Sequence, residues 1–359
     1  MADIVEIDGS FGEGGGQILR TALALSAATG RPVRVFNIRA RRPRPGLQRQ
    51  HLVSVRAVAE LAPGRLEGDR LGSTEIVFYP GPIRGGRFRF DIGTAGSITL
   101  VLQAVLPVAV YAPSPVQLWI RGGTDVPWSP PVDYLRFVLR RLLEKMGYSL
   151  DIVLRRRGHY PRGGGVVEVE VGSPPGRLAA ADFSTRGSLR LVEGLSHAVR
   201  LPRHVAERQA AAAKRLLEKL GVPVNIELEW YEPGRDPHLG PGSGIVVWAV
   251  AEKSVLGGDS LGARGKPAER VGEEAARKLL EDLETGMGLD RHASDMMITY
   301  AALACGASTV GGSRLTMHAW TNMYVVKKLL PEVGIEYLQG GEVGKPFVAK
   351  IRGACVTRR

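Results

Sequence analysis

Glu13 lies inside Gly9-Ser-Phe-Gly-Glu-Gly-Gly-Gly-Gln-Ile-Leu-Arg20, a stretch in which five of twelve residues are glycine. Such a backbone can adopt φ > 0 and turn its N–H groups outward. It runs into an apolar, alanine-rich segment, residues 18–28, that reads as a helix. A glycine loop opening a helix sets unpaired N–H groups beside a positive dipole end, a setting that suits phosphate. A carboxylate there is a candidate ligand for a cation bridging phosphate oxygens. No Lys-Ser/Thr follows the glycines, so this is not a Walker loop. No strong strand precedes the loop and no acidic residue falls at the dinucleotide-fingerprint distance. The competing reading is a tight turn that lets strand and helix pack closely.

A second cluster is basic. Arg39, Arg41, Arg42, Arg44 and Arg49 fall between a strand end and a helix start, with Pro43 and Pro45 among them. Guanidinium groups grip phosphate oxygens bidentately, so the cluster suits polyphosphate or an RNA backbone. Without an anion, five such charges repel one another. Gln50 and His51 follow at the helix N-terminus, where the dipole again favours an anion. A further glycine stretch, beginning at Gly93, leads to Gln103 in an otherwise apolar helix, where a hydrogen-bonded core amide is the simpler reading. The loops 121–131 and 159–165 offer more polar groups; Trp128 could stack a base, although a lone tryptophan more often packs. His318 stands just before the last long helix, in the position that His51 holds earlier. The positive helix end favours its neutral form, and a neutral imidazole nitrogen is competent to attack phosphorus.

The elements that must position these residues repeat. Residues 10–85 run glycine loop, helix, strand 33–38 ending at Arg39, second helix 51–61 and strand 75–79. Residues 90–175 run glycine loop, helix 98–109, strand 116–120 ending at Arg121, second helix 132–146 and strand 166–171. A third copy has helix 295–304, strand 308–310, helix 321–330 and strand 335–338. Self-similarity of this kind argues for stacked supersecondary units rather than one doubly wound sheet. Residues 183–289 differ, with amphipathic helices 204–220 and 268–283 among strands 189–192, 224–231 and 245–252. The expected class is therefore α/β (α+β). Three tandem βα units form a large domain, residues 1–182 and 290–359, with a small α+β domain, residues 183–289, inserted before the third.

At 359 residues the chain can bury a sizeable core, and 44% hydrophobic with 23% charged residues is ordinary for a globular protein. A formal charge of +12 favours a polyanionic partner, nucleic acid first. No apolar run is long enough for a bilayer, and the N-terminus lacks the regions of a secretory signal. The 2 cysteines, Cys305 and Cys355, lie far apart in sequence and outside any metal-ligand spacing, so a reducing, cytoplasmic setting is expected.

Taken together, these segments resemble the RNA 3′-terminal phosphate cyclase family. The resemblance rests on residues 8–20, Asn37-Ile-Arg-Ala, Pro45-Gly-Leu, Arg49-Gln-His-Leu52, residues 93–103 and Gly122-Gly-Thr-Asp125. It continues through Tyr160-Pro161 with Gly163-Gly-Gly165, residues 201–208 and His318-Ala-Trp-Thr-Asn322. It implies an ATP-dependent, Mg²⁺- or Mn²⁺-assisted reaction on RNA with a 3′-terminal phosphate. His318 would take AMP from ATP and release diphosphate. The AMP would pass to the RNA 3′-phosphate, and the neighbouring 2′-OH would close a 2′,3′-cyclic phosphate. Glu13 would hold the metal. Gln17, Arg20, Arg39, Arg42, Gln50, His51 and Gln103 would serve nucleotide and phosphate, with Asp295 beside them. Pro130 and His292 match positions that sandwich the adenine. The family commonly carries Tyr-x-x-Asp-Gln where this chain has His292-Ala-Ser-Asp-Met296, which leaves adenine stacking and base choice open. Two rivals are an enolpyruvyl-type transferase, which needs no nucleophilic histidine, and a non-catalytic RNA-binding relative in ribosome assembly, which would lack the His318 motif.

Overall fold

In the computed structural model, which describes residues 3–358, the chain opens with β1 (Val5–Asp8), parallel to β2 (Val33–Phe36). A strand does precede the glycine loop, but a weak one. It is only four residues long, and three of those, Val5, Glu6 and Asp8, are not buried, so its hydrophobic signal is faint. Between the two strands runs α1 (Gly16–Thr29), with thirteen of fourteen residues buried. A helix apolar on every side belongs inside a protein rather than on its surface. The sheet closes with β3 (Arg65–Glu67) and β4 (Ile76–Tyr79) in the order β1-β2-β4-β3, and α2 (Arg49–Leu61) packs on α1.

The second sheet, order β5-β6-β8-β7, comprises β5 (Gly86–Asp91), β6 (Val116–Gly122), β7 (Asp151–Arg156) and β8 (Gly165–Val171). Its helices are α3 (Ile98–Ala109) and a helical run α4 (Val132–Tyr134) and α5 (Arg140–Glu144) joined through one π-turn, Leu135–Leu139. β9 (Asp182–Phe183) leaves this region. A third sheet, order β11-β10-β12-β13, follows from β10 (Leu189–Val199), β11 (Val224–Trp230), β12 (Gly242–Ala251) and β13 (Val255–Leu261), covered by α6 (Arg203–Leu217) and α7 (Ala268–Glu284). The last sheet, order β15-β16-β14-β9, adds β14 (Ala307–Gly312), β15 (Gly334–Gln339) and β16 (Phe347–Arg352), with α8 (Arg291–Leu303) and α9 (Met317–Leu329).

The architecture is therefore mixed α/β, with four mixed sheets. All four sheets have a parallel pair followed by two antiparallel neighbours, but the first, second and last also share one strand order, first-second-fourth-third in chain sequence, whereas the third runs second-first-third-fourth. One large apolar core joins those three with their helices. A smaller one, centred on Val192, Val247, Val271 and Leu279, lies between the third sheet and α6 and α7. The two bodies meet where Trp248 stacks on Phe137 at 4.3 Å.

The two cysteines, far apart in sequence, are joined. Cys305 and Cys355, 50 residues apart in sequence, form a disulfide because the end of α8 and the segment after β16 lie side by side, Cys355 N–H donating to the Ala304 carbonyl. Among the described residues no helix is long and apolar enough to cross a membrane.

Candidate active site

Helix α1 is flanked by α2, α3 and α9, and the N-terminal ends of α1, α2 and α9 face one region. The contacts are intimate. A Cβ on Gly16 would sit 2.5 Å from His51 Nε2, and one on Gly12 would sit 2.4 Å from Thr321 Oγ1. Glycine at both positions is what lets the loop touch α2 and α9, and Gly12 also has φ +59. Phe11 completes the attachment by stacking on Tyr324 at 3.7 Å and on Trp320 at 4.8 Å. None of the three helices has an acidic residue in its first turn, and α1 has no side-chain cap at Gly15. Three positive helix ends with no acidic residue in their first turns make this a region suited to an anion.

His318 is the second residue of α9, not a residue before it. Thr316 caps the helix by accepting from Ala319 N–H at 3.0 Å. The imidazole is partly exposed, and its Nδ1 stands 2.7 Å from Glu13 Oε2. The two atoms are in close contact, but neither makes a directed hydrogen bond. Arg42 Nη2 donates to the other oxygen, Glu13 Oε1, at 2.5 Å. Contact with His318 first, and Arg42 beside it, hold the Glu13 carboxyl down at about 2, against the opposing effect of burial. Glu13 is therefore a carboxylate with one oxygen occupied and one buried oxygen lacking a directed donor. That fits a Mg²⁺-type ion, which binds through one or two carboxylates and substrate phosphates.

Deeper lies Arg20, 6% exposed, its Nη2 donating to Gln17 Oε1 at 2.6 Å. Its Nε is buried without a partner, and it forms no ion pair among the described residues. Burial lowers its pKa to about 10, so it is still a cation at neutral pH. His51, over Gly16, accepts from Gln48 N–H through Nδ1. Burial, with Arg20 and Arg39 nearby, pushes its pKa down to about 3, so it is neutral. Gln17 Nε2 and Thr21 Oγ1 both donate to Asn322 Oδ1, and Asn322 Nδ2 donates to the Asp295 carbonyl at 2.7 Å. Asp295 Oδ1 accepts from Thr316 Oγ1, which ties α1, α8 and the cap of α9 into one buried network. Burial pushes the Asp295 carboxyl up to about 6, although His318 and Thr316 pull the other way.

The structure thus gathers Glu13, Arg42 and His318 in one contact group and Gln17, Arg20, His51 and Asp295 in another just beneath it. Gln103 donates to Met296 Sδ at 3.4 Å and, with Gln17 and Arg20, lines a hollow of about 20 Å³. Gln50 faces sideways, accepting from Ser97 N–H at 3.1 Å. Arg39, at φ +56, folds its guanidinium onto the carbonyls of Arg44 and Gly46 in its own loop. Pro130 accepts from Thr99 Oγ1 two residues before α4, and Tyr134 of α4 meets His292 edge-on at 5.6 Å. His292 Nε2 lies 3.4 Å from Asp259 Oδ1; burial opposes its protonation, but Asp259 prevails and raises its pKa. A hollow of about 460 Å³ by Asp3, Arg31 and Lys328 touches none of these residues. Thr21 and Thr316 escaped the sequence reading. Thr316 was legible as a cap, three residues before Ala319, while Thr21 carries no signal of its own. Trp128 packs on nothing, being 98% exposed.

A family model for RNA 3′-terminal phosphate cyclase matches residues 11–334. The chain is 66% identical over 354 residues to the RNA 3′-terminal phosphate cyclase of Hyperthermus butylicus, covering 98% of this chain and 99% of that one. Against the protein of the same description from Ignicoccus hospitalis it is 62% identical over 356 residues, with 99% and 100% covered. Against that of Methanopyrus kandleri it is 53% identical over 351 residues, with 97% and 99% covered. A solved enolpyruvyl transferase, NikO from Streptomyces tendae, covers 100% of this chain and 84% of its own at 12% identity; a TM-score of 0.21 leaves that likeness without weight. With a match running through the glycine loop, the arginine loop and the last helix, and relatives of this identity over almost every residue, the chain belongs to the RNA 3′-terminal phosphate cyclase family.

Proposed function

We propose that the protein uses ATP to convert an RNA 3′-terminal phosphate into a 2′,3′-cyclic phosphodiester, with His318 carrying AMP between the two substrates. The observation that carries this reading is the pairing of an imidazole at a helix start with a glycine loop and an unpaired buried cation, Arg20. Glu13 beside Nδ1 favours the tautomer with its proton on that nitrogen, leaving the Nε2 lone pair free. Nε2 attacks the α-phosphorus, the bond to the bridging oxygen breaks, and diphosphate leaves with the electron pair. Arg20 and Arg42, with the N–H groups at the start of α1, take up negative charge on the phosphate oxygens. The Glu13 carboxylate would hold Mg²⁺ or Mn²⁺, which supplies Lewis-acid neutralisation of phosphate charge. The RNA 3′-phosphate oxygen then displaces His318 from phosphorus. The adjacent 2′-oxygen closes on the activated 3′-phosphorus, losing its proton and expelling AMP.

The strand order that the first, second and last sheets share, and the third does not, supports reading those three as copies of one unit, residues 1–182 and 290–359, with residues 183–289 inserted. The separate core over α6 and α7 supports that division. Incubation with ATP labelled at the α-phosphate should leave label on the protein, and a 3′-phosphorylated oligoribonucleotide should become cyclised. His318→Ala should lose both activities and keep its circular dichroism. Labelling that persists in a folded His318→Ala would remove this histidine from the reaction.

A further inference from the structure

Away from that site, Asp125, His159 and His197 converge from three separate elements. Asp125 lies in the loop after β6, His159 between β7 and β8, and His197 on β10 of the third sheet. All three are buried, at 1%, 8% and 1% exposure, and one ligand atom from each lies within 4.8 Å of the other two. The two Nε2 atoms face one another at 3.2 Å. Two nitrogens bound tetrahedrally at zinc–nitrogen distances sit about 3.3 Å apart. Asp125 Oδ1 is 3.9 Å from His197 Nε2 and accepts only a long bond from Arg157 Nη1 at 3.3 Å, while Oδ2 accepts from Thr124 Oγ1 at 2.6 Å and from Arg157 Nη1 at 3.2 Å.

The surrounding charge favours a cation. Arg157, fully buried, is shared by Asp125, Asp133 and Glu229, which leaves two carboxylate charges uncompensated. Arg136, on the other oxygen of Asp133, offsets one of them from a partly exposed position. Buried carboxylate charge without a counter-ion is costly. Glycine at 242 and 244 makes room for the two rings: a Cβ on Gly242 would clash with the His159 ring, and one on Gly244 would lie 3.0 Å from His197. Burial disfavours the charged imidazole in both histidines, leaving lone pairs available.

We infer that Asp125, His159 and His197 form a second metal site, distinct from Glu13, for a divalent ion of the zinc class. Two imidazoles and one carboxylate are a borderline donor set that suits zinc or cobalt over magnesium. In the protein without the ion, one Nε2 must carry the proton between the rings. With the ion bound, that proton moves to Nδ1 and both Nε2 lone pairs face the metal. The site joins the second sheet to the third, so the ion ties the 183–289 body to the rest of the chain.

The test loads purified wild-type protein, Glu13→Gln and His197→Gln with Co²⁺ in excess Mg²⁺, followed by desalting. Metal content, the cobalt visible spectrum and thermal unfolding are read for each. Wild type and Glu13→Gln should retain about one ion per chain, with the intense d–d bands of low coordination number, and should unfold at higher temperature than after chelation. His197→Gln should lose the ion and the bands, while its metal-free unfolding temperature stays near that of metal-free wild type. If wild type retains no cobalt, or if His197→Gln retains it with the same spectrum, the site does not exist. If His197→Gln fails to fold, the wild-type spectrum and chelator-dependent melting decide alone.

Discussion

His318 Nδ1 stands 2.7 Å from Glu13 Oε2, a contact made across more than three hundred residues of chain. In the proposed reaction Glu13 would have two tasks, orienting the imidazole and holding a cation. Because it ionises at about 2, it stays a carboxylate through any working pH. Glu13→Gln keeps the shape but removes the charge. We expect its auto-adenylylation rate to fall by about two to three orders of magnitude, the usual loss for one electrostatic contact to a developing charge. The residual rate should stop rising with Mg²⁺ concentration. Single-turnover labelling across a Mg²⁺ series measures both, and a metal dependence unchanged from wild type would take Glu13 out of the ion's coordination.

Arg20 is a buried cation without an anionic partner among the described residues, so it costs stability in the absence of an anion. The displacement of its pKa from 12.5 to about 10 corresponds to about 3 kcal/mol. Arg20→Met fills similar volume without the charge. It should therefore raise the unfolding temperature in the absence of nucleotide while abolishing ATP-dependent labelling. ATP, in turn, should stabilise wild type and leave the variant unmoved. Thermal melts with and without ATP test the pair of effects. A variant that melts lower and still gains from ATP would contradict both.

Asp295 has the opposite sense from Glu13. Its folded value of about 6 exceeds the ordinary 3.8, so between those values the folded state holds more proton than the unfolded one. Stability attributable to this residue is complete below the ordinary value and drains away as pH rises towards 6, by about 3 kcal/mol in all. Asp295→Asn retains an acceptor for Thr316 and removes the titration. The variant should match wild type near pH 4 and exceed it above pH 6, as read from denaturant midpoints. A constant difference across that window would mean that Asp295 is not held protonated.

The arginine loop divides unevenly. Arg39 is satisfied by its own loop carbonyls and Arg42 by Glu13, whereas Arg41, Arg44 and Arg49 are exposed without ion pairs among the described residues. Those three are the ones free for an RNA backbone. Replacing all three by alanine should weaken binding of a 3′-phosphate RNA and lower the log–log salt slope by about 2, at about 0.7 per contact on a single strand. Fluorescence anisotropy over a salt series gives the slope, and an unchanged value would place the RNA elsewhere.

What the sequence disclosed follows from the range of each signal. The glycine loop and α1 were legible because a glycine-rich turn followed by a mostly apolar, alanine-rich run announces a buried helix. His318 was legible as a residue but misplaced by its helix: Trp320, Thr321 and Asn322 blur the apolar period, so the helix start was set too late, although Thr316 was an available cap. β5 was missed despite Phe88 and Phe90 alternating with exposed arginines, and β3 is too short to carry a pattern. Arg39 was credited with a free guanidinium, and only the fold of its loop shows where it goes. Asp125, His159 and His197 met no spacing rule, since three ligands drawn from three elements leave no local trace. The disulfide was hidden for the same reason.

That disulfide supplies the last expectation. Cys305 follows α8 and Cys355 follows β16, so the bond closes a loop spanning β14, α9, β15 and β16. Closing 50 residues removes unfolded-state entropy worth about 4 kcal/mol in the chain-entropy account. The bond lies at the far end of α8 from His292, about 18 Å along the helix at 1.5 Å per residue, and α9 is anchored near the site by Asn322 and Phe11. Reduction should therefore lower the unfolding temperature markedly and leave the rate of His318 labelling, measured well below that temperature, unchanged. A Cys305→Ser, Cys355→Ser double variant should reproduce both results. A labelling rate that falls along with stability would mean that the disulfide helps hold α9 and Glu13 in register, and that the two ends of α8 act as one unit.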